Sequence, residues 1–353
     1  MKTVVVAGNG PSLKNIDYRR LPENFDVFRV NLFYKEEKYY LGKNVTAYFA
    51  GALGGIYEYL PIVLAQNMES KYNIFKYYTP HIDIRNHYNF INFEEYHWHN
   101  NDYGKIILNY MNSYKEYYYN IDSYFGINSG LLMLAEAIML GYKNIYVVGI
   151  ELQDIYNWDY AFNEKHNSND NYLSFYKKHH GSSNTDYDFM RFIHSIPDIN
   201  IYSISDTSNI NKVLQLAPIQ NTNPYTPKEK NKYDMELTEQ GNNFVKYRIN
   251  KIEQEWPKSM LFYHKDNRDT MSYDEFEKEY NRLLLEEQLE KERLERELLE
   301  KERLERELLE KERLERELLE NMINKKIDKI NKIVWWIPVR VLRDKIRNLL
   351  INK

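Results

Sequence analysis

The sequence predicts an α/β protein: a parallel sheet covered by helices on both faces, followed by a helical C-terminal tail. Three observations predict it. Six short runs rich in β-branched and aromatic residues fall within the first 205 positions, and most are separated by segments long enough for helices. One stretch, residues 129–150, reads as a complete helix–stop–strand unit. Beyond about residue 275 the pattern is helical throughout.

Taken in order, strands are expected at Thr3–Ala7, Asp26–Asn31, Thr46–Ala50, Asn73–Tyr78, Asn144–Ile150 and Asn200–Ser205. In the helix–stop–strand unit, Ser129 caps a helix running from Gly130 to Leu140, Gly141 ends it in the left-handed conformation, and Asn144–Ile150 is the strand that follows. Residues 221–280 carry Pro224, Pro227 and Pro257 and few sustained apolar runs, so they read as a polar linker with short helices. The segment Lys-Glu-Arg-Leu-Glu-Arg-Glu-Leu-Leu-Glu then occurs three times without change, at 291–300, 301–310 and 311–320. Ten residues turn a helix through about 1000°, so each copy shifts its leucines by roughly 80° and no straight apolar face persists. Heptads are absent. The charged repeat over 281–320 therefore reads as a solvated helical spacer, with a strongly coiled self-association helix as the other reading.

Residues 321–353 hold nine Lys/Arg against two Asp and the adjacent pair Trp335-Trp336. A basic stretch with neighbouring tryptophans suits the headgroup layer of an anionic membrane. The other reading packs the tryptophans on the first domain or on a second subunit. The composition sets outer bounds. The 353-residue chain has 48 Lys+Arg and 52 Asp+Glu, a formal charge of −4, which argues against a general nucleic-acid binder. It has no cysteine, which removes disulfides and thiolate chemistry and suits a reducing cytoplasm. The apolar run at Thr3–Val6 is too short for a signal peptide, and no stretch of 18 apolar residues is present to span a bilayer.

The candidate chemistry begins at Ala7-Gly8-Asn9-Gly10-Pro11-Ser12. A strand, a glycine turn and a helix start together offer backbone N–H groups to an anion, with Gly8 and Gly10 allowing close approach and Ser12 capping the helix. Leu13 stands where a dinucleotide fingerprint needs its third glycine, so a plain tight turn fits as well. Asn31, at the end of the second strand, suits a sugar or base edge, or simply a turn. His97-Trp98-His99 lacks a third ligand at helical spacing and does not make a zinc site. His179-His180 precedes a polar loop, where an imidazole is either solvated or placed for proton transfer.

Together these residues resemble a known family. Val4–Lys14, Ile16-Asp17-Tyr18, Leu21-Pro22, Phe25–Arg29 and Lys38–Lys43 are similar to the bacterial sialyltransferases of glycosyltransferase family 42, of the Campylobacter, Haemophilus and Helicobacter lipooligosaccharide type. Ser129-Gly130, Leu140–Lys143, Gly149-Ile150, Tyr160-Ala161-Phe162, Asn184-Thr185-Asp186 and Leu216-Ala217-Pro218 follow in the family's order. The likeness covers roughly residues 1–220. It implies a Rossmann-like nucleotide-sugar domain over 1–220, a variant of the GT-A type, with a small lid at about 151–190.

The resemblance also implies an activity: transfer of N-acetylneuraminic acid from CMP-N-acetylneuraminic acid to a terminal galactose or sialic acid, with inversion and without a metal or other cofactor. The partners it implies are the CMP-sugar donor, a galactose-terminated glycan acceptor and further copies of the chain. With the basic tail, it places the protein at the cytoplasmic face of a bacterial inner membrane.

Site roles follow from the same resemblance. Gly8, Asn9 and Gly10 would hold the cytidine monophosphate, Asn31 would contact the donor, Ser129 beside Gly130 would bind its carboxylate or nucleotide, and Tyr160 would hydrogen-bond the leaving phosphate. The sequence departs from the family pattern at four places. Gly51 stands where the family has Asn, and Gly126 where it has Arg three residues before the Ser-Gly pair. Gln153 aligns with the first phosphate tyrosine, for which Tyr156 is the substitute. His180-Gly181-Ser182 displaces the family's base by one position, leaving His180 as the expected base and His179 as its alternative. Arg85 or Lys177 is the candidate for the missing positive charge.

Overall fold

The computed structural model describes residues 2–50, 59–79, 93–95, 102–118, 127–152, 160–162, 183–222, 224–256, 258, 273–335 and 340–352. They divide into two compact units, residues 1–283 and 284–353.

The first unit is built on a seven-stranded sheet: β1 (Thr3–Ala7), β2 (Asp26–Val30), β4 (Asn44–Phe49), β5 (Asn73–Thr79), β6 (Phe93–Glu95), β7 (Asn144–Val148) and β8 (Asn200–Ser203). Their order is β6-β5-β4-β2-β1-β7-β8, and each pairing is parallel. All six expected strands are present within a few residues of their predicted ends. Strand β6 was not anticipated, because three residues are too short to show a period.

Alternation along β1 explains the layering. Val4 and Val6 join a core formed with α2 (Asp102–Tyr118), α3 (Ser129–Met139) and α4 (Ser183–His194). Val5 and Ala7 face the other side, packed with Leu13, Ile16, Val148 and Ile204. Farther along that side, Val45, Tyr48 and Tyr77 pack with α1 (Leu60–Met68) and with Ile252 and Trp256. A strand covered on both faces must be apolar at every position, which is why β1 reads Val-Val-Val-Ala. Helix α3 lies deepest. Residues 130–139 are all buried, and Gly141 (φ +83°) ends the helix as expected. Phe189 and Met190 of α4 belong to this principal core, so the far end of the range expected as a lid is structural.

The linker expected over 221–280 is corrected over its first part. Residues 228–229 form β9, antiparallel to β3 (Lys38–Tyr39). Helix α5 (Lys232–Met235) is closed by a capping box of Asn231 and Asp234, and α6 (Glu239–Glu255), capped by Thr238, packs with α1. The segment looked like a linker because polar groups anchor much of it. Lys230 donates from Nζ to the Tyr34 carbonyl (2.8 Å) and lies over the rings of Tyr39 and Tyr72. Its desolvation pushes the ammonium down to about 8. Beneath it, Arg29 and Glu36 form a fully buried ion pair (2.9 Å) and Tyr72 donates to Glu36 (2.8 Å).

The second unit continues α7 (Tyr273–Trp335) and adds α8 (Arg340–Ile351). Arg347 Nε donates to Asn331 Oδ1 (2.9 Å), joining the end of α7 to α8. The repeat is one uninterrupted helix. The side chains of Trp335 and Trp336 lie outside the described residues. Among the described residues, no helix is long and apolar enough to cross a membrane.

Candidate active site

From β1 the chain proceeds to β2 on one side, whereas β7, on the other side of β1, proceeds to β8. The crevice outside the carboxyl ends of β1 and β7 is therefore a topological switch point, where parallel α/β sheets bind ligands. The glycine turn after β1, the Gly149–Glu151 turn after β7 and the start of α3 converge there.

The geometry explains the glycines differently from the sequence expectation. A Cβ on Gly8 would lie 2.1 Å from the Gly149 carbonyl oxygen and 3.0 Å from Ile150 Cγ1. One on Gly10 would lie 2.5 Å from Glu151 Cγ. Both residues are bare because the β7 turn abuts them. Their N–H groups are used as well: Gly8 donates to Val148 O (2.9 Å) and Gly10 to Gly149 O (2.8 Å).

Ser12 is similarly engaged. Its N–H donates to Glu151 Oε1 (2.7 Å) and its hydroxyl accepts from Gly149 N–H (2.9 Å). The expected phosphate cradle at Gly8, Gly10 and Ser12 is thus corrected. Glu151 already supplies an anion to this turn, and the following element is a five-residue 3-10 helix without a side-chain cap. A second oxygen of Glu151 accepts from Ser208 Oγ (2.9 Å), so its carboxylate ties three turns together.

Asn9 retains open capacity. Its Nδ2 donates to the Val30 carbonyl (2.9 Å), which fixes the amide, and its own carbonyl accepts from Ala161 N–H (2.8 Å). Asn9 is only 7 % exposed, yet its Oδ1 has no hydrogen-bond partner among the described residues. Such an acceptor is expensive to bury unless a ligand donor meets it. Asn31 follows directly after Val30, in the left-handed region (φ +48°) that asparagine tolerates, with its N–H on Phe49 O (3.1 Å).

At the third wall, Asn128 rather than Ser129 caps α3, accepting from Leu131 N–H at 3.0 Å. Ser129 is freed from the capping role expected of it. The N–H groups of Ser129 and Gly130 and the Ser129 hydroxyl have no hydrogen-bond acceptor among the described residues. Gly130 is bare for the same reason as Gly8: a Cβ there would lie 3.0 Å from Ile150 Cγ1. The two glycines thus flank one isoleucine and bring the first turn of α3 beside the β1 turn.

Tyr160 is brought to Asn9 by the Ala161 hydrogen bond and stacks on Phe162 (ring centroids 5.2 Å apart). Burial, and secondarily Tyr59, raise its phenol well above the ordinary value, so it remains a proton donor near neutrality.

The structure thus brings Gly8, Asn9, Gly10, Ser129 and Gly130 to one crevice, with Asn31 directly after the Val30 that Asn9 contacts, whereas Tyr160 adjoins Asn9 only through its neighbour Ala161 and its ring packs on the core of Leu60, Ile252 and Trp256. His180, His179, Tyr156, Gln153, Gly51, Gly126, Arg85 and Lys177 lie outside the described residues. The sequence reading missed Glu151, although an acid directly after a strand's terminal glycine was a usable signal. It also gave no role to Asn128 or Asp186. Among the described residues, no group of three His, Asp or Glu side chains comes together to hold a metal.

The chain is similar to solved sialyltransferase structures. The sialyltransferase CstII from Campylobacter jejuni, in complex with the substrate analogue CMP-3FNeuAc, is 30 % identical over 71 % of this chain and 100 % of that one, with a TM-score of 0.51. CstII in complex with cytidine-5'-monophosphate is 31 % identical over 71 % and 98 %, also at 0.51. CST-II with a trisaccharide acceptor and CMP is 32 % identical over 69 % and 98 %, with a TM-score of 0.50. An uncharacterized protein of Haemophilus influenzae is 27 % identical over 143 residues, and the chain spans 62 % of that relative's length. The family model described as alpha-2,3-sialyltransferase (CST-I) matches residues 2–256. Fold and family match agree, and the chain belongs to the CST-I alpha-2,3-sialyltransferase family of glycosyltransferases.

Proposed function

We propose that this chain transfers N-acetylneuraminic acid from CMP-N-acetylneuraminic acid to a terminal galactose, or to another sialic acid, of a lipooligosaccharide-type glycan, with inversion and without a metal. The observation that carries the reading is the crevice itself. It combines a buried acceptor on Asn9 with donors at the first turn of α3, none of which has a hydrogen-bond partner among the described residues. That pairing suits a nucleotide sugar, whose hydroxyl and amino groups donate and whose phosphate and carboxylate accept. The CMP and trisaccharide complexes of the similar CstII enzymes support the same donor and acceptor classes.

In this mechanism the acceptor hydroxyl attacks the anomeric carbon from the face opposite the phosphate. His180 takes the proton from that hydroxyl. The bond to the CMP oxygen breaks, and charge grows on the departing phosphate. The protonated Tyr160 hydroxyl donates to that phosphate, and the Ser129 and Gly130 N–H groups, at the positive end of α3, stabilise the negative charge. Gly51 and Gly126, in place of the family's Asn and Arg, and Gln153, in place of its first phosphate tyrosine, favour a second reading in which the donor is another CMP-activated sugar. A degenerate homologue without turnover is the remaining outcome.

Incubating the purified chain with CMP-N-acetylneuraminic acid and a labelled lactoside separates these readings. Transfer is expected, and His180→Ala should lower its rate roughly 10²–10⁴-fold while CMP binding persists. Neither transfer nor donor hydrolysis by the parent chain would overturn sialyl transfer.

The tail would act as a peripheral membrane anchor at the cytoplasmic face. Leu342, Ile346, Leu349 and Leu350 fall within an arc of about 100° on α8, and Arg340, Arg343 and Arg347 share the adjoining arc. Leu342 and Leu349 are exposed. A chain ended at about residue 280 should keep activity on soluble acceptors and lose binding to anionic vesicles; vesicle binding that survives the truncation would refute the anchor.

A further inference from the structure

The first turn of α3 is held by a side chain that the transfer steps do not use. Asp186, in the first turn of α4, accepts from the Asn128 backbone N–H through Oδ1 (3.1 Å) and from Asn128 Nδ2 through Oδ2 (2.7 Å). Asn128 Oδ1 in turn accepts from Leu131 N–H (3.0 Å) as the cap of α3. The amide is therefore gripped at both ends. Its nitrogen points to a carboxylate and its oxygen to the helix, so the cap has one orientation rather than two. The next two residues, Ser129 and Gly130, carry crevice donors that have no acceptor among the described residues.

We infer that Asp186 is a positioning residue: through Asn128 it sets the first turn of α3 so that Ser129 and Gly130 meet the anionic group of the donor. The inference rests on the crevice being a CMP-sugar site. A purely electrostatic role has the opposite sign, because a carboxylate near the start of α3 repels a bound phosphate. Removing Asp186 then tightens the donor if charge dominates and loosens it if positioning dominates. Burial raises the Asp186 carboxyl to about 6, and the two Asn128 hydrogen bonds oppose that rise. Asn128 is thus its main compensation for lost water. The segment that carries His179 and His180 enters α4 just before Asp186 in sequence, so the same contact ties α4's start to α3's.

The test uses the full chain with Asp186→Ala and Asp186→Asn, reading donor KM, kcat, CMP Kd and hydrogen exchange at Leu131. Asp186→Ala should raise donor KM and CMP Kd about tenfold, the effect of losing a charge-assisted hydrogen bond, with kcat changed less. Asp186→Asn, which keeps an acceptor for Asn128 Nδ2, should recover part of the loss. Adding Asn128→Ala to Asp186→Ala should add little, because the pair acts as a unit. Exchange at Leu131 should speed up in Asp186→Ala whether or not CMP is present. Unchanged or tighter donor binding, or unchanged Leu131 exchange, would overturn the positioning role. If the parent chain neither binds CMP nor turns over donor while Leu131 exchange responds as expected, the reading of the crevice fails and the link from Asp186 to α3 stands.

Discussion

Leucine behaves in opposite ways in the two units. In residues 1–283, Leu13, Leu60, Leu131 and Leu134 have no solvent exposure and each belongs to a core layer. In the repeat, Leu294, Leu304 and Leu314, one at the same place in each copy, are 53 %, 58 % and 54 % exposed. The difference is one of period. Strands that alternate, and a helix such as α3 enclosed on all sides, converge on shared interiors. A ten-residue repeat sends successive leucines around the axis, so no neighbour within the helix's own unit can cover them all. What holds the repeat is local. The same (i, i+4) Arg–Glu pair recurs in each copy, as Arg293–Glu297, Arg303–Glu307 and Arg313–Glu317. One unit is stabilised by contacts between distant residues, the other by contacts one helical turn apart.

The sharpest way to break this comparison is to strike the buried ion pair of the first unit. Glu36→Gln leaves Arg29 buried without its countercharge, and chemical denaturation should show a loss of about 3–5 kcal/mol. A loss below 1 kcal/mol would mean that the buried Arg29 does not depend on Glu36 for its stability. Next in size is Gly8→Ala. The new methyl would meet the Gly149 carbonyl at 2.1 Å, where both sides are backbone. It should cost about 1–3 kcal/mol and weaken CMP binding measured by calorimetry. Unaltered CMP affinity would show that the close approach of the two turns serves stability alone. The smallest effect belongs to the repeat: Leu304→Ala should shift stability by no more than about 0.5 kcal/mol and leave the molar mass in light scattering unchanged. A larger loss, or a change in mass, would reveal a covering partner and favour the self-association reading.

The same contrast explains how much was legible beforehand. The six strands and α3 were readable because both signals are local: β-branched runs bounded by turn residues, and a helix closed by Gly141. Much of residues 224–256 was not. Lys230 and Asp234 are buried through polar contacts, so the segment shows no long apolar run even though α6 packs in the first unit through Ile252 and Trp256. Within the crevice, the positions were legible and the roles were less so. Gly8, Gly10 and Ser12 stand where the motif predicted, yet their N–H groups bond to Val148, Gly149 and Glu151. Ser129 is the expected cap of α3, but the cap lies one residue earlier, at Asn128, whose amide donates to the Asp186 carboxylate.

By itself, then, the sequence determined the strands, the order of chain segments and the character of the repeat, each a matter of spacing along a few residues. Tertiary structure alone decided which polar groups of the crevice stay available to a ligand. Ser12 is satisfied by Glu151, 139 positions away, and Asn128 by Asp186, 58 positions away, whereas Asn9 Oδ1 has no partner among the described residues. The physical reason is that a hydrogen bond satisfies a group by proximity in space. Proximity between such distant residues is set by how the sheet orders β1, β2 and β7, and no local pattern of residues encodes it.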